Sequence, residues 1–282
     1  MNDLLPTTDP VLATPATSAT GTSDKSGTSG GTGGSGTSGG TGTSGATRLA
    51  YGPGERQHVL VHRPATPVGA AVVLVHGGFW RPEKDAASME AACRDLAARG
   101  VLAASVEYRT VGAGGEWPGC ADDVTAAVRA LCESSGVPLG ATVLAGHSAG
   151  GHLALVAAAR LGGLAAVAGL APITDLEAAE RDDLGTGAVR GLLGGRPAAE
   201  LPDASPVHGP VPGCPVLLVH GAADQAVPVS QTTSYADALR AKGGRVRVRL
   251  IPEARHMHLV KPGRPAWRDV SAELLSLTGA LG

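Results

Sequence analysis

The chain has 282 residues, of which 43% are hydrophobic, and a formal net charge of −2, with acidic and basic residues mixed along its length. This pattern provides no basic face for nucleic acid or anionic lipid, so a small molecule is the expected partner. The first residues, MNDLLP, lack the basic and apolar regions of a secretory signal, and no apolar run is long enough to cross a bilayer, so a cytoplasmic location is expected.

Residues 1–47 differ in composition from the rest of the chain. Between positions 21 and 45 almost every residue is Gly, Ser or Thr. Such a segment is costly to order and has no apolar side chains with which to build a core. The sequence therefore predicts a disordered tail at 1–47, followed by one domain at 48–282, a common size for an α/β domain.

From residue 57 onward, short β-branched segments alternate with Ala- and Leu-rich amphipathic segments. This alternation predicts an α/β fold with a mostly parallel, twisted sheet and helices on both faces. The predicted strands are 58–62, 70–76, 102–108, 142–146, 165–170, 216–220 and 245–251, and the predicted helices are 86–99, 120–134, 150–160, 230–242 and 267–277. Residues 172–212 contain Pro, Gly and charged residues around two short helical segments, which indicates a small cap over the carboxyl-terminal edge of the sheet.

The sequence HGGFW at 76–80 begins with the last residue of the predicted strand 70–76 and continues into the loop that follows. Acyl transfer needs backbone N–H groups directed at the developing oxyanion, and glycines allow the main chain to approach a substrate closely. We predict that the N–H groups of Gly78 and Phe79 supply two of these donors, and that Phe79 and Trp80 line the substrate pocket. His76 is predicted to hold the loop through a hydrogen bond.

The pattern Gly-x-Ser-x-Gly occurs at 146–150 as GHSAG, and also by chance at 27–31 and 36–40 in the tail. Only the copy at Ser148 follows an apolar strand and begins a helix. In that context a strained turn lifts a serine out of the sheet as a nucleophile. Ser148 is therefore the predicted nucleophile, and the N–H of Ala149 is the third predicted oxyanion donor.

An acid and a base are expected after two later strands. Asp224 follows the strand 216–220, where its carboxylate can orient an imidazole. Asp175 is a rival acid, although capping the next helix is a sufficient role for it. The loop after strand 245–251 contains two candidate bases: His256 comes first and gives the order Ser, Asp, His that fits this fold, while His258 fits equally well on spacing alone.

Together these motifs resemble α/β-hydrolases of the carboxylesterase and arylformamidase type, the group that includes kynurenine formamidase, over residues 51 to 267. Shared features also include YG at 51–52, WP at 117–118 ahead of DDV at 122–124, GHL at 151–153, and His256 with Leu259 and Pro262. The resemblance implies the α/β-hydrolase fold and His256 as the base. The family's usual His-Phe-Asp run is HMH here, at 256–258.

The expected function is that of a serine hydrolase that cleaves a small carboxylic ester or activated amide through an acyl-enzyme, without a metal or organic cofactor. An arylformamidase acting on an N-formylkynurenine-like substrate is one alternative. A non-catalytic ligand-binding member of the fold is another, and a peptidase is less favoured because the chain has no propeller or large lid to select peptides.

A chain that begins near Arg48 is expected to keep the melting temperature and kcat/KM of the full chain. The removed segment has no apolar periodicity and contains no predicted site residue. Thermal denaturation and steady-state kinetics of the two chains check this. A large drop in either quantity would show that the segment packs on the domain or closes over the pocket.

Overall fold

The computed structural model describes residues 45–279, so most of the predicted tail lies outside the described residues. Within this range the strands are β1 (Thr47–Ala50), β2 (His58–His62), β3 (Ala71–Val75), β4 (Leu102–Val106), β5 (Thr142–His147), β6 (Ala166–Leu170), β7 (Val216–Gly221) and β8 (Val246–Ile251). The α-helices are α1 (Glu90–Ala97), α2 (Gly119–Ser135), α3 (Ala149–Leu161), α4 (Leu176–Arg181), α5 (Ala188–Leu192), α6 (Val229–Ala241) and α7 (Pro265–Leu277). Short 3₁₀ turns lie at Ala86–Met89, Leu139–Ala141, Ala198–Glu200, Pro202–Ala204 and His256–Val260.

The eight strands form one sheet in the order β1-β2-β4-β3-β5-β6-β7-β8. The pairs β1/β2 and β2/β4 are antiparallel and the other pairs are parallel. The predicted mostly parallel α/β sheet is thus confirmed. Parallel strands end at the same edge of a sheet, so the loops that follow β3, β5, β7 and β8 all emerge on one side.

Helices cover both faces of the sheet. All five residues of β3 are buried, and their side chains alternate between two hydrophobic clusters, with Val73 in one and Leu74 in the other. Helices α2, α3 and α6 contribute to the cluster that contains Val73, whereas α1 and α7 contribute to the opposite cluster. Burying each such Val or Leu side chain contributes about 1.5–3 kcal/mol, which explains why the central strands are apolar throughout.

The predicted strands and helices are all present, and most of their ends shift by only one or two residues. The predicted helix 86–99 instead begins with a 3₁₀ turn, and its α-helical part ends at Ala97. Strand β1 was not predicted, because it has only four residues and is mostly exposed. It begins at Thr47, the last residue assigned to the tail. The two short helical segments of 172–212 are α4 and α5.

None of the helices in residues 45–279 is both long and apolar enough to cross a membrane.

Two buried histidines, His147 at the end of β5 and His152 in α3, make the fold sensitive to acid. Burial lowers the pKa of His147 to about 3 and that of His152 to about 4. Both therefore stay neutral in the folded protein, whereas an unfolded histidine takes up a proton at a pKa of about 6.5. The unfolded state therefore binds more protons than the folded state at low pH. The contribution of these two histidines to the free energy of unfolding is fully present above about pH 6.5 and is lost as the pH falls toward the folded pKa values.

We therefore expect the free energy of unfolding to fall between pH 7 and pH 4.5, with each histidine contributing up to about 1.4 kcal/mol per pH unit below 6.5. Urea denaturation at the two pH values measures this. His152→Gln cannot titrate, so it should lose less stability on acidification than the wild type, whatever its stability at pH 7. Arg129→Gln, at an exposed position on α2, is the control and should keep the wild-type dependence. An unchanged dependence in His152→Gln would contradict this interpretation.

Candidate active site

Ser148 lies in the turn between β5 and α3 with an unfavourable backbone conformation, φ 57° and ψ −123°. Such strain persists only where the surrounding structure fixes it. The turn is tight enough that a Cβ on Gly146 would lie 2.0 Å from the carbonyl oxygen of Gly150. Glycine is thus required there, and the GHSAG sequence forms the elbow expected of a serine nucleophile.

The carboxylate of Asp224 is fully buried and holds His256. The Nδ1–H of His256 donates to Oδ2 of Asp224 over 2.7 Å, and the backbone N–H groups of Ala226 and Val227 donate to Oδ1 over 2.8 and 3.0 Å. Because the carboxylate only accepts, Nδ1 of His256 carries the proton, and Nε2 is left with a lone pair. His256 is thereby prepared to accept a proton.

The electrostatics of Asp224 favour the ionised carboxylate. Burial alone would raise the pKa of Asp224, but hydrogen bonds from His220, His256 and the Val227 N–H outweigh it and hold the pKa well below its usual range. The carboxylate therefore keeps its negative charge at neutral and moderately acidic pH. It can stabilise a positive charge on His256 when that side chain takes up a proton.

The two rival residues have other partners. Nδ1 of His258 accepts a hydrogen bond from the backbone N–H of Arg255 at 3.2 Å. Asp175 caps α4 by accepting from the N–H of Ala178 at 3.0 Å, as its alternative role requires. The structure thus pairs Asp224 with His256 rather than with His258.

Two further histidines support this pair, and the sequence reasoning missed both. Nε2 of His220 lies 3.4 Å from Asp224 Oδ2 and donates to the carbonyl of Val227 at 3.0 Å, while its Nδ1 is 2.7 Å from Thr232 Oγ1. His147 donates from Nε2 to the carbonyl of His256 at 3.0 Å, and the two rings are 4.3 Å apart. The sequence did contain a signal for the role of His220, because this residue lies near the end of β7, at the same sheet edge as Asp224.

The HGGFW loop runs directly against the nucleophile. A Cβ on Gly77 would lie 2.8 Å from the carbonyl oxygen of His147 and 3.0 Å from Ser148 Cβ, so glycine permits this approach. His76 holds the loop as predicted: its Nδ1–H donates to the Gly77 carbonyl at 2.8 Å, and its own carbonyl accepts from Tyr108 Oη at 3.0 Å. The backbone of the loop is therefore fixed beside Ser148.

The three predicted oxyanion donors are free to bind a ligand. Within residues 45–279, the N–H groups of Gly78, Phe79 and Ala149 donate to no protein acceptor. Gly78 and Phe79 line a cavity that also contains Ser148. Ala149 is fully buried at the start of α3, immediately after Ser148.

This active-site cavity has a volume of about 240 Å³. Its lining combines the candidate catalytic residues, the oxyanion loop and a set of mostly apolar side chains: Gly77, Gly78, Phe79, Lys84, Ser88, Met89, His147, Ser148, Ala226, His256 and Met257. Sequence reasoning found the residues that carry motifs but missed Lys84, Met89, Ala226 and Met257, which carry none. They come from three separate loops that only the fold brings together.

Trp80 does not line this cavity, contrary to the prediction that it walls the substrate pocket. Its indole is fully buried and packs edge-on against His152, with the ring centres 5.3 Å apart. The positive φ angles of Phe79 (55°) and Trp80 (59°) turn the chain sharply there. Phe79 therefore faces the cavity while Trp80 anchors the loop in the core behind it.

The segment between α4 and α5 contacts the oxyanion loop. Gly185 packs on the ring of Phe79, since a Cβ placed on this glycine would lie 2.5 Å from Cδ1 of that ring. Nη2 of Arg81 donates to the carbonyl of Thr186 at 2.7 Å. The segment 172–212 thus lies over one side of the loop that borders the cavity.

Comparison with known proteins identifies the family of this chain. Residues 88–274 match the family described as the prolyl oligopeptidase family. The chain belongs to this family. An acetyl-hydrolase of Streptomyces hygroscopicus is 32% identical over 243 residues, which cover 77% of this chain and 79% of that protein.

Another relative and a structural neighbour are named as esterases. Esterase LipC of Mycobacterium tuberculosis is 29% identical over 233 residues, 69% of this chain but 55% of LipC, so the chain matches about half of that relative's length. The fold also matches a thermophilic esterase of Thermogutta terrifontis with propionate bound, with a TM-score of 0.67, 23% identity, and coverage of 84% of this chain and 95% of the other. The predicted resemblance is confirmed for the esterase type, whereas none of these three proteins is named an arylformamidase.

Gly77→Ala tests the contact between the oxyanion loop and the nucleophile. The added Cβ must displace either the loop or Ser148, so the rate of Ser148 labelling by a fluorophosphonate should fall by about 10- to 100-fold, as when an oxyanion donor is misplaced. Gly213→Ala is the matched control, because its added Cβ meets nothing within 4 Å. Equal labelling rates in Gly77→Ala and the wild type would contradict the proposed close packing.

Proposed function

We propose that this protein is a serine esterase that hydrolyses small carboxylic esters through an acyl-enzyme on Ser148. The observation that carries the proposal is the shared cavity: Ser148 on its strained turn and His256, held by the buried Asp224, line the same space. The relatives named as acetyl-hydrolase and esterase support ester hydrolysis over amide or formamide hydrolysis.

In the proposed mechanism, Oγ of Ser148 attacks the ester carbonyl while Nε2 of His256 accepts the hydroxyl proton. Asp224 keeps Nδ1 of His256 protonated and stabilises the imidazolium that forms. The tetrahedral oxyanion is bound by the N–H groups of Gly78, Phe79 and Ala149.

Collapse of this intermediate breaks the ester bond. The alcohol leaves with the proton from His256, and the acyl group remains on Ser148. Water then donates its proton to His256 and attacks the acyl-enzyme, and the second collapse releases the carboxylic acid and restores the serine hydroxyl. The same residues thus serve both half-reactions.

The cavity dimensions favour small substrates. Drug-sized ligands occupy pockets of about 300–1,000 Å³, whereas this cavity measures about 240 Å³. Phe79, Met89 and Met257 provide apolar contacts for a short chain. We therefore propose a small ester rather than a long-chain lipid as the substrate.

Ser148→Ala and His256→Ala are each expected to lower kcat for p-nitrophenyl butyrate by at least about 1,000-fold, and the double variant should lose little more, because the residues act in the same step. His258→Ala is the matched control and should retain most of the activity. A large loss in His258→Ala alone would instead assign the base to His258. Absence of both fluorophosphonate labelling at Ser148 and ester turnover would favour a non-catalytic binding protein.

A further inference from the structure

A single lysine borders the active-site cavity beside the oxyanion loop. The stem of Lys84 packs against Gly78, because a Cβ placed on that glycine would lie 2.7 Å from Lys84 Cγ and 2.8 Å from its Cβ. The residue as a whole is exposed. A lysine in this setting covers apolar surface with its methylenes and keeps its ammonium group in water. The stem of Lys84 therefore lies beside the loop that contains the predicted oxyanion donors, and the border of the cavity includes one exposed cationic side chain.

No carboxylate neutralises this charge. Within the part of the chain that the structure describes, Lys84 forms no ion pair, and no Asp or Glu lines the cavity. Asp85 caps the following 3₁₀ turn by accepting from the N–H of Ser88 at 3.2 Å, and Glu83 is exposed outside the lining. The buried charge of Asp224 is already bound by His256. The positive charge of Lys84 is therefore available to an anionic group of a ligand in the cavity.

The backbone on both sides of Lys84 is fixed in place. Nη2 of Arg56 donates to the carbonyl of Pro82 at 3.1 Å, and the N–H of Ala86 donates to Oε2 of Glu107 at 2.7 Å. Arg56 and Glu107 are themselves paired at 3.0 Å, and the Glu107 side chain is only 4% exposed. The backbone of this segment does not have to be ordered when a substrate binds, so a charge interaction formed there costs only the freedom of the lysine side chain.

The remaining lining defines the rest of the ligand. Phe79, Met89, Ala226 and Met257 are apolar and surround the space next to Ser148. A ligand that satisfies both parts has a short apolar section and an anionic group. A single ammonium balances one negative charge, which is the charge of a carboxylate, whereas a phosphate monoester carries nearly two at neutral pH. A singly charged carboxylate therefore matches it better.

We propose that the enzyme prefers esters that carry a carboxylate in addition to the scissile ester, and that Lys84 binds this carboxylate as a specificity-determining residue. The inference rests on the esterase function proposed above. It concerns the relative rates at which charged and neutral esters are hydrolysed. The triad acts on the ester group that both kinds of substrate share, so it does not distinguish them.

Two matched substrate pairs test the proposal. p-Nitrophenyl hemisuccinate and p-nitrophenyl butyrate differ by a carboxylate on the acyl side, and 4-acetoxybenzoate and its methyl ester differ by a carboxylate on the alcohol side. The readout is the ratio of kcat/KM for the charged ester to that for the neutral ester within each pair. This ratio removes any effect of a variant that both substrates share.

Lys84→Gln should lower the ratio in one pair by roughly 3- to 10-fold, the range expected for losing a partly exposed charged contact. Lys84→Arg should keep the ratio within about twofold of the wild type, since the positive charge remains. Arg129→Gln removes the same charge from the exposed face of α2 and should leave both ratios unchanged. Raising the salt concentration should lower the wild-type ratio toward that of Lys84→Gln.

Unchanged ratios in both pairs with Lys84→Gln would overturn the proposal, as would an equal fall in Arg129→Gln. These outcomes leave the proposed esterase function intact, because the neutral esters are still hydrolysed. If the wild type hydrolyses none of the four esters and is not labelled by the fluorophosphonate, the esterase function is contradicted, and this inference with it.

Discussion

The register between β3 and β5 positions everything else at the site. Val75 lies opposite Gly146, so the two central parallel strands end side by side. The loop after one strand contains the predicted oxyanion donors, and the turn after the other contains Ser148. Because the strands are buried on both faces, a shift by one residue would exchange their core-facing side chains, and the packing on both faces resists it. The sheet thus fixes the distance between Ser148 and the predicted oxyanion donors before any substrate binds.

A buried charge is the second constraint. The Asp224 carboxylate is fully removed from water, which is costly unless its oxygens are hydrogen-bonded. Contacts from His256, His220 and two backbone N–H groups meet this need. His220 is in turn held by Thr232 on α6, so the orientation of the candidate base depends on a helix that does not touch the cavity. The imidazole is fixed from behind while its free nitrogen stays available.

Local patterns in the sequence were sufficient to predict the sheet, most helices and the turn at Ser148, because apolar strands and the glycine turn are encoded by neighbouring residues. The pairing of Asp224 with His256 was predicted from chain order, and the choice over His258 required the fold, since both histidines occupy the same loop. The contact of His147 with His256 joins residues 109 positions apart and has no local signature. The prediction that Trp80 lines the pocket was wrong for a similar reason. Phe79 and Trp80 both have positive φ angles, which redirect their side chains, and no residue type in the loop predicts this conformation.

The contact of Gly185 and Thr186 with the oxyanion loop has a consequence for protein engineering. Cap segments are attractive targets for changing substrate range, because loops tolerate substitution better than the sheet does. Here the segment 172–212 contacts Phe79 and Arg81, so a larger side chain at position 185 would press on the loop that contains the predicted N–H donors. Libraries built in this cap would alter catalytic rate and selectivity together. Met257 lines the cavity from the loop after β8 and is 41% exposed, so randomising it separates the two properties more cleanly.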